Sequence, residues 1–394
     1  MQAVIYCGGF GKRLGKITSN LPKPLIKING KPFLYYLIKN LERFGIKNII
    51  FLAHYQNKKI IKFIKNLKYL NLKLNVIVEK KASGTAGSLL LAKKFLDKEF
   101  FLLNGDTYFN FNILELKKKF YDNKKKLISI ALTKNNNKRF LNLSVYKEYN
   151  YKVPKINLVN GGYYYVSKKI ISKIQKKDFS LEKDVFPELI KKNKIICVPF
   201  VNKKNYFIDI GVLKDLNRAS KFLIKIFNKK TVFLDRDGVL NYDFGYVHQI
   251  KNFKWRPKIV NFIKFLNDND FYVIVVSNQS GIGRGYYQEK DVHKLHQWIN
   301  HQLNKKAAHI DDFKIAPYFK KSIKYSSAYN YFLRKPNPGM ILESINKWNI
   351  SPKKSILIGD QLSDIQVAKN AKLRYAFNIK KISISKIIKH KFFE

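Results

Sequence analysis

The chain alternates short apolar runs with stretches of helical periodicity, and that alternation predicts most of its elements. Gln2–Tyr6, Ile46–Ala53, Phe100–Asp106, Phe271–Val276 and Ser355–Ile358 are compact and rich in apolar and β-branched residues, as is the start of Val232–Asn241. Such runs read as buried strands. Phe33–Phe44 and Lys258–Leu266 carry apolar residues at helical spacing, and Asp215–Lys230 is a lysine-rich helical stretch ending in N-K-K. Strands alternating with helices predict doubly wound α/β architecture. A length of 394 residues favours two domains, each with its own core. The lysine-rich stretch sets their boundary near residue 228, giving 1–228, 229–380 and a basic C-terminal tail, 381–394.

Composition adds exclusions. A hydrophobic content of 46% with 14% aromatics indicates a globular chain. Cys7 and Cys197 are the only cysteines, which excludes a disulfide framework and a Cys-rich zinc site. No apolar run approaches the roughly 18 residues of a membrane span, and the N-terminus lacks a signal-peptide layout, so a cytoplasmic protein is expected. The net charge of +50 would suit a nucleic acid or an anionic membrane. Yet only 9 of the 77 basic residues are arginines, and Asn, Ile, Phe and Tyr, whose codons are rich in A and T, abound. A compositionally biased genome accounts for both, so neither nucleic acid nor membrane is the expected partner. Arginines that persist against such drift suit tasks lysine performs badly, such as bidentate phosphate binding. Arg13, Arg236, Arg284 and Arg334 all fall inside the motifs below.

The second half centres on V-F-L-D-R-D-G-V-L-N. A strand delivers Asp235 and Asp237 onto a turn at Gly238. Two carboxylates so close repel, and burying them unpaired is costly. A hard cation such as Mg²⁺ removes the conflict and can grip a phosphate. Downstream, S-N-Q-S-G-I-G-R-G puts Ser277 at a strand end, R-K-P-N-P-G puts Arg334 and Lys335 before a helix, and G-D-Q-L-S-D follows a strand with Asp360 and Asp364. The first half opens with a strand and C-G-G-F-G-K-R-L-G, where Gly8, Gly9 and Gly11 let backbone amides approach a phosphate beside Lys12 and Arg13. L-P-K-P-L then holds Lys23 between prolines. E-K-K-A-S-G-T-A-G-S-L (79–89), F-F-L-L-N-G-D (100–106), V-N-G-G-Y-Y-Y-V (159–166), S-L-E-K-D-V-F-P (180–187) and F-I-D-I-G (207–211) follow.

Together and in this order, the motifs of residues 1–225 resemble those of sugar-1-phosphate nucleotidyltransferases. The resemblance implies a Rossmann-like domain that joins a sugar 1-phosphate to an NTP and releases pyrophosphate. It implies that Gly8, Gly9, Gly11 and Arg13 cradle the triphosphate and that Lys23 neutralises phosphate charge. Gly84 and Thr85 would face base and sugar, Asn160, Gly162 and Glu182 would line the sugar pocket, and Asp106 and Asp209 would hold Mg²⁺. The two aspartates are expected to converge from the carboxyl ends of strands of a doubly wound sheet. Lys12 stands where the family usually has threonine. The family's E-K-P segment is not recognisable, Y-K-V-P-K (151–155) standing there instead, with Lys152 and Lys155 as candidate contacts.

Residues 230–375 resemble the haloacid-dehalogenase-like phosphatases, without room for a cap domain. Within them the motifs look most like heptose bisphosphate and histidinol-phosphate phosphatases. The resemblance implies that Asp235 attacks phosphorus and that Asp237 protonates the leaving alkoxide and then activates water. Ser277 and Lys335 would bind phosphate oxygens, and Asn278, Arg284 and Arg334 would contact substrate. Mg²⁺ would sit on Asp235, Asp360 and the Asp237 carbonyl, with Asp364 in support. Those relatives carry a zinc loop before R-K-P, but Ala316–Leu333 has neither Cys nor His, so no zinc is expected. His293 and His296 read as polar residues on an exposed helix face.

The two halves suggest consecutive steps: removal of the 7-phosphate from heptose 1,7-bisphosphate, then nucleotidyl transfer to heptose 1-phosphate. Two alternatives remain open at this stage. One is another hexose-1-phosphate nucleotidyltransferase fused to a phosphatase of different substrate, such as histidinol phosphate. The other is a basic nucleic-acid- or membrane-binding protein with inactive sites.

Overall fold

The computed structural model describes residues 1–67, 72–134, 158–174, 180–202 and 204–394. The Tyr151–Lys155 segment lies outside them. The chain divides into two compact units, Met1–Ile224 and Lys225–Glu394. The break falls inside the helix Leu213–Phe227, a few residues before the position near 228 read from composition.

The first unit is built on β1 (Gln2–Tyr6), β2 (Asn48–Ala53), β3 (Lys73–Val78), β4 (Glu99–Asn104), β5 (Ile128–Lys134), β6 (Leu158–Ser167) and β7 (Ile195–Phe200), in the order β7-β5-β6-β4-β1-β2-β3. Strands β1 to β4 are parallel to one another, and β6 runs antiparallel to both β4 and β5. Consecutive residues of β1 and β2, such as Val4 and Ile5 or Ile50 and Phe51, are buried. Both sheet faces are therefore covered, which is why these strands read as unbroken apolar runs. This is a Rossmann-like α/β unit. Tyr6 pairs with Asn104, so the chain leaves β1 and β4 side by side. Gly105 fits against that exit because a Cβ there would lie 2.3 Å from the Tyr6 carbonyl oxygen.

Asp209 departs from expectation. It belongs not to the main sheet but to a short ribbon, Phe207–Asp209, paired antiparallel with Thr107–Phe109. Asp209 lies opposite Thr107, and this ribbon, not strand convergence, brings it to Asp106.

The second unit is a five-stranded parallel sheet of β8 (Thr231–Leu234), β9 (Tyr272–Asn278), β10 (Asp312–Ala316), β11 (Ser355–Gly359) and β12 (Tyr375–Asn378), in the order β10-β9-β8-β11-β12. Side chains alternate across it. Val232, Leu234, Val273, Val275, Ile356 and Ile358 join one core, while Phe233, Ile274, Val276 and Leu357 join the other. Burying each such side chain contributes about 1.5–3 kcal/mol. Helices Ile259–Asp268, Glu289–Asn304, Gly339–Trp348 and Leu362–Asn370 complete this haloacid-dehalogenase-like unit.

Two expectations fail here for the same reason, apolar burial. Residues 381–394 are no free tail: Ile384, Ile387, Phe392 and Phe393 pack into the core beside Phe262 and Phe271. His296 is not on an exposed face. It is buried and stacked on Phe313 with ring centroids 4.2 Å apart, while His293 stays exposed. Among the described residues, no helix is long and apolar enough to cross a membrane.

Candidate active sites

In the first unit the site forms where β1 and β4 end. Lys23, fixed in the turn Lys23–Leu25 between two prolines, is buried, and its Nζ lies 2.5 Å from Asp106 Oδ2 and 3.7 Å from Asp209 Oδ1. Thr107 Oγ1 donates to Asp106 Oδ1 at 3.2 Å, and the Gly211 amide donates to Asp209 Oδ1 at 2.7 Å. A Cβ on Gly211 would lie 2.5 Å from Asp209 Oδ1, 3.2 Å from Lys23 Nζ and 3.6 Å from Arg13 Nη2. Four residues distant in sequence thus converge on one point. Gly8, Gly9 and Gly11 form the loop leaving β1. Gly11 adopts φ 66° against Thr18, whose hydroxyl donates to the Gly11 carbonyl at 2.9 Å. Burial raises the Asp106 carboxyl, but the Lys23 charge and hydrogen bond outweigh it and hold Asp106 below the usual carboxylate range.

Thr85, Asn160, Gly162 and Glu182 are tied into one network. Thr85 Oγ1 donates to Glu182 Oε2 at 2.9 Å and accepts from the Leu181 amide at 2.8 Å. Asn160 Nδ2 donates to the Tyr164 hydroxyl at 2.9 Å, and that hydroxyl reaches Glu182 Oε1 at 3.4 Å. The Gly162 amide donates to Asn160 Oδ1 at 2.9 Å, and Gly162 has φ 69° against Asn104. Gly84 begins the helix that carries Thr85. Sequence reasoning missed Tyr6, whose hydroxyl donates to the Thr85 carbonyl, and Glu79. Glu79 is buried and accepts from Ser83 Oγ at 2.9 Å and Ser88 Oγ at 2.7 Å. A glutamate starting a Gly/Ser-rich motif was the available signal.

In the second unit the site crowns the parallel sheet. Asp235 and Asp237 follow β8, Ser277 is the next-to-last residue of β9, Lys335 precedes the helix Gly339–Trp348, and Asp360 and Asp364 follow β11. Lys335 Nζ lies 2.9 Å from Asp235 Oδ1 and 2.6 Å from Asp364 Oδ1. Gly238 has φ 84°, and a Cβ there would strike the Asp360 carboxylate at 2.5 Å, so glycine lets β8 and β11 bring their acids together. A cavity of about 270 Å³ is lined by Asp235, Asp237, Ser277, Asn278, Lys335 and Asp360, with Gln279 and Tyr287.

Each acid is individually held. Asp364 Oδ2 accepts from the Asp360 and Gln361 amides at 3.2 and 3.0 Å. Arg236 is wholly buried and grips Asp237 with Nε and Nη2, the shortest contact being 2.8 Å. Asn241 and Gln279 also donate to Asp237, at 2.9 and 3.0 Å. Asn278, expected as a substrate contact, spends its amide on the Lys335 backbone, at 3.0 and 3.2 Å. Arg284 and Arg334 do not line the cavity. Arg284 lies 4.1 Å from the Phe319 ring centroid, and Arg334 donates to the Tyr318 carbonyl at 3.3 Å.

Burial pushes the Asp235 carboxyl up to about 7, and Lys335 opposes the shift. Burial also disfavours the charged Lys335, but Asp235 and Asp364 reverse this and raise its ammonium. Carboxylate oxygens of Asp235, Asp360 and Asp364 lie within 4.8 Å of one another, the only such cluster among the described residues. An all-oxygen donor set with an acid held up by burial suits a hard dication. In the first unit, Lys23 occupies the space between Asp106 and Asp209 as a cation would, and the same two carboxylates fit such an ion.

Family models match the chain twice: nucleotidyl transferase over residues 2–141, and haloacid dehalogenase-like hydrolase over residues 300–377. The chain is 35% identical over 223 residues to the D-glycero-α-D-manno-heptose 1-phosphate guanylyltransferase of Campylobacter jejuni, covering 55% of this chain and 96% of that protein. It is 39% identical over 143 residues to a D-glycero-β-D-manno-heptose-1,7-bisphosphate 7-phosphatase from Rhodopseudomonas palustris, covering 36% of this chain and 79% of that one. With the α-anomer 7-phosphatase of Photorhabdus laumondii, identity is 37% over 151 residues, 38% of this chain and 82% of the relative.

Proposed function

From a chain that belongs to the nucleotidyl transferases through its first unit and to the haloacid dehalogenase-like hydrolases through its second, we infer two consecutive reactions. The chain is a bifunctional enzyme of the heptose pathway. Its second unit removes the 7-phosphate of D-glycero-D-manno-heptose 1,7-bisphosphate, and its first transfers a guanylyl group from GTP to heptose 1-phosphate. One observation carries this: the halves match, over most of the relatives' lengths, an α-anomer 7-phosphatase and an α-anomer guanylyltransferase, named for reactions of which the first supplies the second's substrate. The guanylyltransferase relative is named for the α anomer, so we assign the α series to both steps.

In the phosphatase, an Asp235 oxygen attacks phosphorus, the bond between phosphorus and the C7 oxygen breaks, and the C7 alkoxide takes a proton from Asp237. Asp237 then accepts a proton from water as that water displaces Asp235 from phosphate. Lys335 and Ser277 bind phosphate oxygens. Asp235 and Asp360, with the Asp237 carbonyl, would hold Mg²⁺, which supplies charge neutralisation. In the transferase, a phosphate oxygen of the sugar attacks the α-phosphorus of GTP and pyrophosphate leaves. That step needs positioning and neutralisation rather than a protein nucleophile. Arg13, Lys23 and the glycine loop serve the triphosphate, Asp106 and Asp209 a second Mg²⁺, and the Asn160–Glu182 network the sugar. The nucleotide supply supports a cytoplasmic setting, and an activated heptose supports a role in surface-polysaccharide assembly.

The test supplies each anomer of heptose 1,7-bisphosphate with GTP, ATP, CTP or dTTP and Mg²⁺, following phosphate and pyrophosphate separately. Phosphate release followed by GTP-dependent pyrophosphate from the α anomer is the expected result. Pyrophosphate with another nucleotide alone, or phosphate from histidinol phosphate but not heptose, would replace this reading.

A further inference from the structure

We propose that Gln279 is a positioning residue of the phosphatase site, itself locked by Tyr287, and that it aims the Ser277 hydroxyl at the substrate phosphate. The proposal rests on the phosphatase reading of the second unit. Gln279 is 2% exposed, and its backbone amide is anchored on the Ala316 carbonyl at 2.8 Å, so β10 fixes its place beside β9. Its side-chain Nε2 donates to Ser277 Oγ at 2.8 Å and to Asp237 Oδ2 at 3.0 Å. Its Oε1 accepts from the Tyr287 hydroxyl at 2.8 Å. These partners fix which end of the amide is nitrogen, because a carboxylate only accepts and an amide nitrogen only donates.

The consequence falls on Ser277. A serine hydroxyl carries one proton and two lone pairs, and it otherwise rotates to suit its surroundings. With Gln279 donating into the Ser277 oxygen, the Ser277 proton must point elsewhere. Ser277 is 1% exposed and lines the cavity with Asp235 and Lys335, so the remaining direction is into that cavity. One amide thus pre-sets both a phosphate donor and the Asp237 carboxylate. Preorganised donors cost no reorientation during reaction.

The motif is built to allow this. Tyr287 stacks on His248, with centroids 4.3 Å apart and planes 13° from parallel. Its ring crosses directly over Gly281, where a Cβ would lie 2.3 Å from a ring carbon and 2.7 Å from the hydroxyl. Ser277, Gln279 and Gly281 of S-N-Q-S-G therefore have linked tasks: donor, aiming amide and passage for the phenol.

The experiment uses the full chain and heptose 1,7-bisphosphate. Q279L is expected to lower phosphatase kcat at least about 30-fold and Y287F about 5-fold, with KM within about twofold for Y287F. Combining Q279L with S277A should lose much less than the product of the single losses, because one acts through the other. Melting temperature and near-ultraviolet circular dichroism of each variant report on folding of the second unit. Where Q279L fails to fold, Y287F decides. Wild-type kcat in folded Q279L and Y287F, or fully multiplicative losses with S277A, would overturn the proposal. Absence of phosphate release by the wild-type protein would instead overturn the phosphatase reading.

Discussion

Each unit holds a buried lysine between two aspartates, and the two arrangements do opposite things. Lys23 sits between Asp106 and Asp209, whose side chains remain 32% and 14% exposed. Lys335 sits between Asp235 and Asp364, which are 10% and 0% exposed. In the first, the Lys23 charge and hydrogen bond outweigh burial, and Asp106 stays below the ordinary carboxylate range. In the second, desolvation wins and Asp235 rises to about 7. The same triad of charges holds an acid low in one place and leaves one raised in the other. Burial opposes the charged form of both acids, and at Asp235 the charges of Asp364 and Asp237 add to it.

The sharpest way to break this comparison is to remove the carboxylate of Asp235, the proposed nucleophile. Asp235→Asn should reduce phosphate release by at least about a thousandfold while guanylyl transfer from supplied heptose 1-phosphate stays within about twofold of wild type. Concerted loss of both activities in folded protein would refute separate sites. In the first unit, Asp209→Asn should lower guanylyl transfer at least about a hundredfold by removing cation-dependent stabilisation, with phosphatase activity kept. Near-normal pyrophosphate release at limiting Mg²⁺ would make Asp209 a mere ribbon residue.

Both of those acids were legible in the sequence, but for unequal reasons. Asp235, Asp237, Ser277 and Asp360 sit at or just beyond strand ends, so a local reading of apolar runs found them, while Lys335 and Asp364 came from motifs that lead into helices. The strands that carry the first four flank one another in one parallel sheet. Asp106 and Asp209 were also singled out, yet the ribbon that joins them pairs residues a hundred positions apart and has no local signature. Gln279, Tyr287, Glu79 and Arg236 act through burial and hydrogen bonding, which become visible only once tertiary contacts exist. His296 and the last 14 residues were misread because lysine-rich surroundings disguised apolar packing.

A finer test uses protons. Because Asp235 titrates near 7, protons should compete with Mg²⁺ at the phosphatase site. Apparent Mg²⁺ affinity there should weaken as pH falls below about 7, by up to about tenfold per unit. The guanylyltransferase site, with Asp106 held low, should show no such dependence between pH 6 and 8. Magnesium titrations of each activity at several pH values would expose identical profiles, the outcome that removes the contrast.

The smallest effect concerns His296, pushed well below its ordinary pKa by burial and then by the Arg236 charge, with neither ring nitrogen hydrogen-bonded among the described residues. Below pH 6.5 the unfolded chain takes up a proton that the folded chain refuses. Stability of the second unit should therefore fall as pH drops, by at most about 1.4 kcal/mol per unit. His296→Phe should flatten that slope in denaturant melts, and an unchanged slope would assign it to other groups.

The ribbon of Thr107–Phe109 and Phe207–Asp209 also dictates an order of events during synthesis. A ribosome lays down β1 to β4 and the glycine loop well before residue 209 emerges, so the parallel core can assemble early. Asp106 then waits, paired at most with Lys23, for a partner a hundred residues downstream. Closing so long a loop is entropically slow compared with local contacts. Translation arrested between residues 134 and 206 would leave a nascent chain with much of its sheet and Asp106 without Asp209. The Asp106–Asp209 pairing is thus acquired late, after most of the sheet that frames it.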